Sequence, residues 1–390
     1  MAVNLLRHEV SDLCIGKPSL RTLSISSTVA EALAALRKFG EGFLSVWSCG
    51  DHAKAEEADS GCRCVGKVCI GDVVCFLCKE ENLKNPGVAL QAQLSVLVPK
   101  IPGLVKHLEP TASLWEAMDL IVEGTQNLVI PLRTPTTNSR KKLLSKSSMS
   151  GTIHNNSQYC WLTQEDVIRY LFNSISVFFP IPGQPINSLN IIDSDKVLTV
   201  YYDDPASVAL PSIAQSILRQ TSVAILDNDN KLVGEISPFM LYSCVESVAA
   251  AIATLSAGDL MAYIDCGGPP EDLIRLVKER LEEKNFGAAL EMMDEELGIS
   301  YSSSSSFSSC SSSDEEFGMG KSGRFGGYSA RMVRRSEGIV CYPWSSLVAV
   351  MIQALAHRVC YVWVVEEDGS LAGIVTFEGM IKVFMKQLRS

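Results

Sequence analysis

Four times along this chain an apolar, strand-like stretch ends on a small hydroxyl or thiol residue, and in two copies an acid follows three positions later. The endings are Gly66-Lys67-Val68-Cys69 with Asp72, Cys160-Trp161-Leu162-Thr163 with Asp166, Gly234-Glu235-Ile236-Ser237, and Gly373-Ile374-Val375-Thr376. Each is preceded by an apolar strand pattern and, earlier, by a helix pattern that opens on a small hydroxyl residue. Repetition of a supersecondary unit constrains the fold before any single residue does.

The helix openings carry the same repeat. Thr28-Val29-Ala30-Glu31-Ala32-Leu33 matches Ser113-Leu114-Trp115-Glu116-Ala117-Met118 position for position. Thr28 and Ser113 suit the N-cap, and Glu31 and Glu116 stand where a capping box needs them. Ser207 and Ser346 keep the hydroxyl and lose the glutamate. The cap positions are 85, 94 and 139 residues apart. A solenoid repeats at a near-constant period, so this spacing predicts paired modules with variable loops.

The first module falls at 1–80 and the second at 92–176, with a mobile, polar connector over 133–158 that has no hydrophobic period. Pro180, Pro182 and Pro185 mark a boundary. The third module falls at 186–248, with the turn Asp227-Asn228-Asp229-Asn230 between two strands. Its helix contains Pro211, tolerable only in a first turn, where a Ser207 cap would place it. Val245 to Ile264 is alanine-rich and reads as one buried helix. The fourth module falls at 257–390 and is interrupted over 267–337. There Glu271 to Glu296 reads as a surface helix, and 300–327 is low-complexity serine and glycine sequence. The serine run ends against Asp314-Glu315-Glu316, which suits either a phosphorylatable regulatory loop or a plain spacer.

These residues resemble the cystathionine β-synthase (CBS) domain, in which a β-α-β-β-α unit ends in Gly-x-apolar-Thr/Ser-x-x-Asp. The order of four modules resembles plant stand-alone CBS-domain proteins and, more distantly, the γ subunit of AMP-activated protein kinase. The resemblance implies a mixed α/β (α+β) fold of four modules paired into two tandems. It also implies a non-enzymatic regulator that senses AMP, ADP, ATP or S-adenosylmethionine between paired modules. Such a protein passes its state to a protein kinase or other regulated partner, and homodimers through the tandems fit the family. The alternative is an interaction scaffold whose ligand sites have decayed. No cofactor is required on either reading.

By the same resemblance, the module-ending acid accepts hydrogen bonds from the ribose hydroxyls and the Thr/Ser hydroxyl meets phosphate. The second module keeps both, as Thr163 and Asp166. The first keeps Asp72 but has Cys69 in the hydroxyl position. The third keeps Ser237 with Met240 in place of the acid, and the fourth keeps Thr376 with Gly379 there. The first tandem is therefore the better candidate. His357-Arg358 resembles a γ-subunit pair that reaches phosphate. Plain chemistry offers a second account of each: aspartates cap helices well, and cations suit a helix C-terminus.

Composition narrows the remaining classes. The net charge is −10 and the basic runs are short, which disfavours nucleic acid, whose phosphates need many cations. No uninterrupted apolar stretch is long enough to span a bilayer, and Met1 to Asp12 has no apolar signal core and shows no transit pattern. Thirteen cysteines, an odd number, suggest a reducing compartment, the cytoplasm, without excluding the nucleus. Cys49, His52, Cys62 and Cys64 share a loop, but their spacing does not match a structural zinc site, so no metal is expected. Gly318-Met319-Gly320-Lys321-Ser322 lacks the first glycine and the preceding strand of a phosphate loop. No arrangement of residues suggests catalysis.

Overall fold

The computed structural model describes residues 8–39, 42–49, 61–132, 157–242, 245–265, 269–304 and 336–389. His52, nearly all of the 133–158 connector, Gly318 to Ser322 and most of the serine run lie outside them. The described residues form four three-stranded sheets. The first unit is β1 (Thr22–Ser24), α1 (Val29–Phe39), β2 (Leu44–Ser48), β3 (Arg63–Val68) and α2 (Ile70–Leu77). The second is β4 (Val105–His107), α3 (Leu114–Val122), β5 (Asn127–Pro131), β6 (Tyr159–Thr163) and α4 (Gln164–Asn173). The third is β7 (Thr199–Tyr201), α5 (Leu210–Arg219), β8 (Val223–Leu226), β9 (Leu232–Ile236) and α6 (Val245–Thr254).

Between the third and fourth sheets come α7 (Ala257–Ile264), α8 (Glu271–Glu283) and α9 (Gly287–Ser304). The fourth unit is β10 (Val340–Cys341), α10 (Leu347–His357), β11 (Tyr361–Val365), β12 (Leu371–Thr376) and α11 (Phe377–Arg389). In every unit the first strand pairs in parallel with the second, and the second pairs antiparallel with the third. The middle strands are covered on both faces, which accounts for their unbroken apolar runs, as in Tyr361–Val365.

Local chemistry sets the helix starts. Thr28 and Glu31 form the reciprocal capping box, with bonds of 3.2 Å and 2.9 Å. Ser113 and Ser346 accept from the amides of Glu116 and Ala349. The third unit departs from expectation. Ser207 lies inside a 3₁₀ turn, Ala206–Ala209, and α5 begins only at Leu210 with Ala209 as its N-cap. Pro211 still falls in the first turn of the α-helix, where its missing N–H costs nothing.

Two kinds of contact join the units. Sheets meet within a tandem: Leu20 donates to the Tyr159 carbonyl at 2.7 Å, and the rings of Trp47, His107 and Tyr159 cluster between units one and two. Units three and four meet through Leu371 N–H on the Asn230 carbonyl, 3.1 Å, and through Glu235, described below. Helices meet across tandems. One core holds Leu36, Val74 and Leu77 of unit one with Ile213 and Val245 of unit three. The other holds Leu114 and Leu171 of unit two with Met351 and Phe384 of unit four.

The single helix expected over Val245 to Ile264 is two, broken at Leu255, with Ser256 capping the second. The surface helix expected over Glu271 to Glu296 is also two, and both are packed. Val277, Leu281 and Met293 are fully buried in the core shared by units one and three. They cover α6, whose Val245, Val248, Ala250 and Ile252 are buried on all sides. A helix that is apolar all round needs such cover. The helical backbone of α9 also takes in Ser300 to Ser304, the first residues of the serine run.

A charged cluster secures this junction. The Arg37 guanidinium meets Glu246 and also Glu296, the latter at 2.6 Å, and the Ser247 amide donates to Glu296 at 2.8 Å. Burial, then the hydrogen bond to Glu246 and its charge, push Glu296 up to about 8. Burial works against ionised Glu246 too, but the hydrogen bond from Glu296 and the Arg37 charge outweigh it and leave that acid lowered. Folded Glu296 therefore holds its proton in a range where the unfolded acid, with an ordinary value of 4.5, has lost it. Its stabilising contribution is complete below that ordinary value and is lost as pH rises through the folded value. Glu246 acts oppositely, and only in the acid range. We expect Glu296→Gln to remove a loss of stability that the wild type shows between about pH 5.5 and about pH 8. Urea midpoints at the two pH values test this, and equal slopes in both proteins would refute it.

Candidate functional site

The ring of four units encloses a cavity at its centre, about 950 Å³ of space between atoms with its open mouth included. Every unit contributes to it. Phe43, Lys67 and Cys69 come from the first, Asn127, Trp161 and Thr163 from the second, Thr221 and Phe239 from the third, and Arg358, Cys360 and Tyr361 from the fourth. These residues converge because the residues at or just before the start of each middle strand, and those that end β3 and β6, face the centre. Asn127 lies directly across from Thr163 in the β5–β6 register, and Tyr361 from Thr376 in β11–β12.

The walls are mostly apolar and aromatic, with Phe43 and Phe239 packed edge to face at 5.7 Å. The Lys67 ammonium stands 4.4 Å from the centre of the Phe43 ring, a favourable cation–π distance. Burial lowers the Lys67 pKa, against the pull of Cys69 and Asp72, which favour its charge. Arg358 ends α10 in the left-handed region, φ 54°, and this turn carries it onto the cavity rim. Two buried polar atoms, Asn127 Nδ2 and Thr221 Oγ1, find no hydrogen-bond partner among the described residues, although both residues are more than nine-tenths buried. Buried polar groups are rarely left so.

The residues expected from the sequence are divided among several places. Cys69, Thr163 and Arg358 line the cavity. Asp72 lies in a narrower crevice beside it, reached from the other side of Lys67. Its carboxylate accepts from the Cys69 amide at 2.8 Å, and burial raises its pKa despite that bond. Asp166 closes a capping box with Thr163, accepting from its amide at 2.7 Å and its hydroxyl at 2.7 Å. It is also ion-paired to Lys17. Both acids therefore cap helices, as aspartate chemistry allows. Thr376 faces a separate surface crevice with Lys382 and Lys386, and accepts from the Gly379 amide. The Ser237 hydroxyl is buried and finds no hydrogen-bond partner among the described residues. His357 is exposed at the end of α10.

Sequence reasoning missed Lys17, Lys67, Asn127, Thr221 and Glu235. Lys67 and Glu235 occupy the same place in the repeat, between the glycine and the apolar residue before the closing hydroxyl or thiol. A charge at that inward position was the available signal. Glu235 is wholly buried. It accepts from the Tyr361 hydroxyl at 2.9 Å and 3.0 Å and from Trp363 Nε1 at 2.7 Å, fixing the tyrosine that forms part of the cavity wall. Among the described residues no group of three or more His, Cys, Asp and Glu side chains is placed to hold a metal ion. No helix there is long and apolar enough to cross a membrane.

No family model matches the chain. It is 45% identical over 400 residues to the CBS domain-containing protein CBSX5 of Arabidopsis thaliana, covering 100% of both. The chain belongs to the CBS domain-containing proteins. It is also 21% identical to a SNF1-related protein kinase regulatory subunit gamma-like protein, PV42b, of the same plant, covering 99% of this chain and 97% of that one. The fold is shared with a putative archaeal homolog of g-AMPK from Methanocaldococcus jannaschii. That structure has a TM-score of 0.54 and 13% identity, over 97% of this chain and 100% of the other.

Removing the Glu235 carboxylate strands two buried donors. Glu235→Ala should cost roughly 2–6 kcal/mol, about 1–3 for each donor, whereas Glu235→Gln, which keeps an acceptor, should cost less. Urea denaturation followed by tryptophan fluorescence measures both. An alanine variant as stable as wild type would show that the network does not hold the two sheets together.

Proposed function

We propose that this protein is a non-catalytic regulator that binds an adenosine-containing ligand in the central cavity and passes its occupancy to a protein kinase or another regulated partner. One observation carries the reading. A cavity shared by all four units has aromatic walls, two cations from opposite tandems, and two buried polar atoms that lack a partner among the described residues. The walls suit a flat base, and Lys67 and Arg358 suit a phosphate, which a guanidinium can grip with two parallel bonds. A ligand touching all four units changes how the tandems sit against each other, which is what a partner could read. The kinship with a kinase regulatory subunit-like protein supports a kinase as that partner.

The second reading, a scaffold with decayed sites, draws on the acids. Asp72 and Asp166 already serve as helix caps, and Met240 and Gly379 stand where the other two acids would be. Calorimetry with AMP, ADP, ATP and S-adenosylmethionine separates the readings. We expect heat with at least one of them. Lys67→Met and Arg358→Gln should each weaken a phosphate-bearing ligand about tenfold to a hundredfold, the worth of a charge-assisted bond. Silence with all four compounds at millimolar concentration would favour the scaffold and defeat the sensing reading.

A further inference from the structure

Two cysteines stand just beyond the paired ends of β2 and β3. The antiparallel register of these strands closes on Ser48 opposite Arg63. One further step along the ladder sets Cys49 opposite Cys62. Directly opposed residues of an antiparallel pair have Cα atoms about 4.5–5.5 Å apart, inside the span of about 4.4–6.8 Å that a disulfide bridges. A second observation agrees with the register: the two thiols share a hydrogen bond. Their surroundings differ. Cys49 alone among the described cysteines is exposed. Cys62 is buried and packs with Leu20, Trp47, Cys64 and Val129 in the cluster between units one and two. Cys64 is engaged elsewhere, since it lies opposite Trp47 and its thiol donates to the Gly66 carbonyl at 3.4 Å.

We propose that Cys49 and Cys62 are a redox modification site, a dithiol that closes to a disulfide across the ends of β2 and β3. The oxidant is a small-molecule disulfide. Exposed Cys49, as its thiolate, attacks one sulfur of that molecule, the S–S bond breaks, and one thiolate leaves. Buried Cys62, as its thiolate, then attacks the Cys49 sulfur and expels the second. The protons given up by the two protein thiols go to the two leaving thiolates, so the small disulfide is reduced as the pair is oxidised. Burial, the hydrogen bond to Cys62 and its charge push the Cys49 thiol up to about 11. Little of it is thiolate near neutral pH, and the first step is slow there. In a compartment that keeps thiols reduced, such a bridge is a state set by oxidative load and not a permanent framework. Oxidation pins the end of the β2–β3 pair, where the Trp47 ring packs on His107 and Tyr159 of unit two. Redox state thereby bears on how firmly the first tandem holds together, whether or not the central cavity is filled.

Peptide mapping of the full chain tests the pairing. The protein is held at mildly alkaline pH in reduced or oxidised glutathione, unfolded, alkylated and cut with trypsin. Cleavage after Lys38, Lys54 and Arg63 places Cys49, Cys62 and Cys64 on three separate peptides. We expect the oxidised protein to yield residues 39–54 joined to residues 55–63, and dithiothreitol to part them. Cys49→Ser and Cys62→Ser should each lose the joined species, and Cys64→Ser should keep it. Cys49→Ser, at the exposed position, serves if the Cys62 variant does not fold. Oxidised wild type should also melt higher than reduced wild type, a shift absent from Cys49→Ser. Recovery of both peptides alkylated after oxidation, a link from Cys49 to Cys64, or a glutathione adduct on Cys49 that never passes to Cys62 overturns the proposal. Equal melting temperatures with the link in place overturn its hold on the first tandem.

Discussion

Everything in this molecule depends on one constraint: a three-stranded sheet with two helices cannot bury both of its faces alone. A small sheet needs a further layer to be stable. Here each unit needs two neighbours, one to cover the sheet and one to cover the helices. The sheet partner comes from the same tandem and the helix partner from the other. Four units are the smallest set in which every face is covered, and closing the ring places the strand ends side by side at the centre. The cavity is a by-product of that closure, which explains why its lining is drawn from residues far apart in the chain.

The two tandems handle the inward charge of the repeat differently. In the second, Glu235 is neutralised in effect by two fixed donors, Tyr361 and Trp363, and the space around it is filled. In the first, the equivalent Lys67 has an aromatic ring on one side and the cavity on the other. A buried carboxylate with bonds at both oxygens is a structural device. A lysine whose pKa is lowered by burial has lost hydration that its neighbours only partly replace, and an anion entering the cavity would restore the balance. The same repeat position therefore yields a rivet in one half and, in the other, a cation on the wall of the central cavity.

Much of this architecture was legible in the sequence because it is written locally. The strand endings, the capping box at Thr28, the Ser113 cap and the Asp227 to Asn230 turn each depend on residues a few positions apart. The failures have different causes. Ser207 satisfied the local rule for a cap, but Pro205 and Pro211 shifted the start of the α-helix and left the serine in a 3₁₀ turn. Glu271 to Glu296 has charged residues on most of its surface, and nothing local reveals that α6 would supply an apolar partner for Val277 and Leu281. At the site, the module-ending motif located Cys69 and Thr163 at the cavity. It could not reveal Lys17, which reaches Asp166 from 149 residues away in the chain, nor Asn127 and Thr221, which stand out only because their buried polar atoms find no partner among the described residues.

The capping role of the acids bears on how such a site evolves and works. A carboxylate at the third position of a helix earns stability from the strand-end amide whether or not a ligand is present, so it persists after binding is lost. Its presence alone therefore says little about occupancy. What separates a working acceptor from a plain cap is the remaining lone-pair capacity and who fills it. At Asp72 the neighbouring space is narrow and Lys67 is the nearest counter-charge. At Asp166 the Thr163 amide, the Thr163 hydroxyl and the Lys17 ammonium all meet one carboxylate oxygen, Oδ2. The asymmetry between the two acids is therefore one of surroundings: Asp72 opens on a narrow crevice shared with Lys67, whereas Asp166 stays partly exposed beside Lys17.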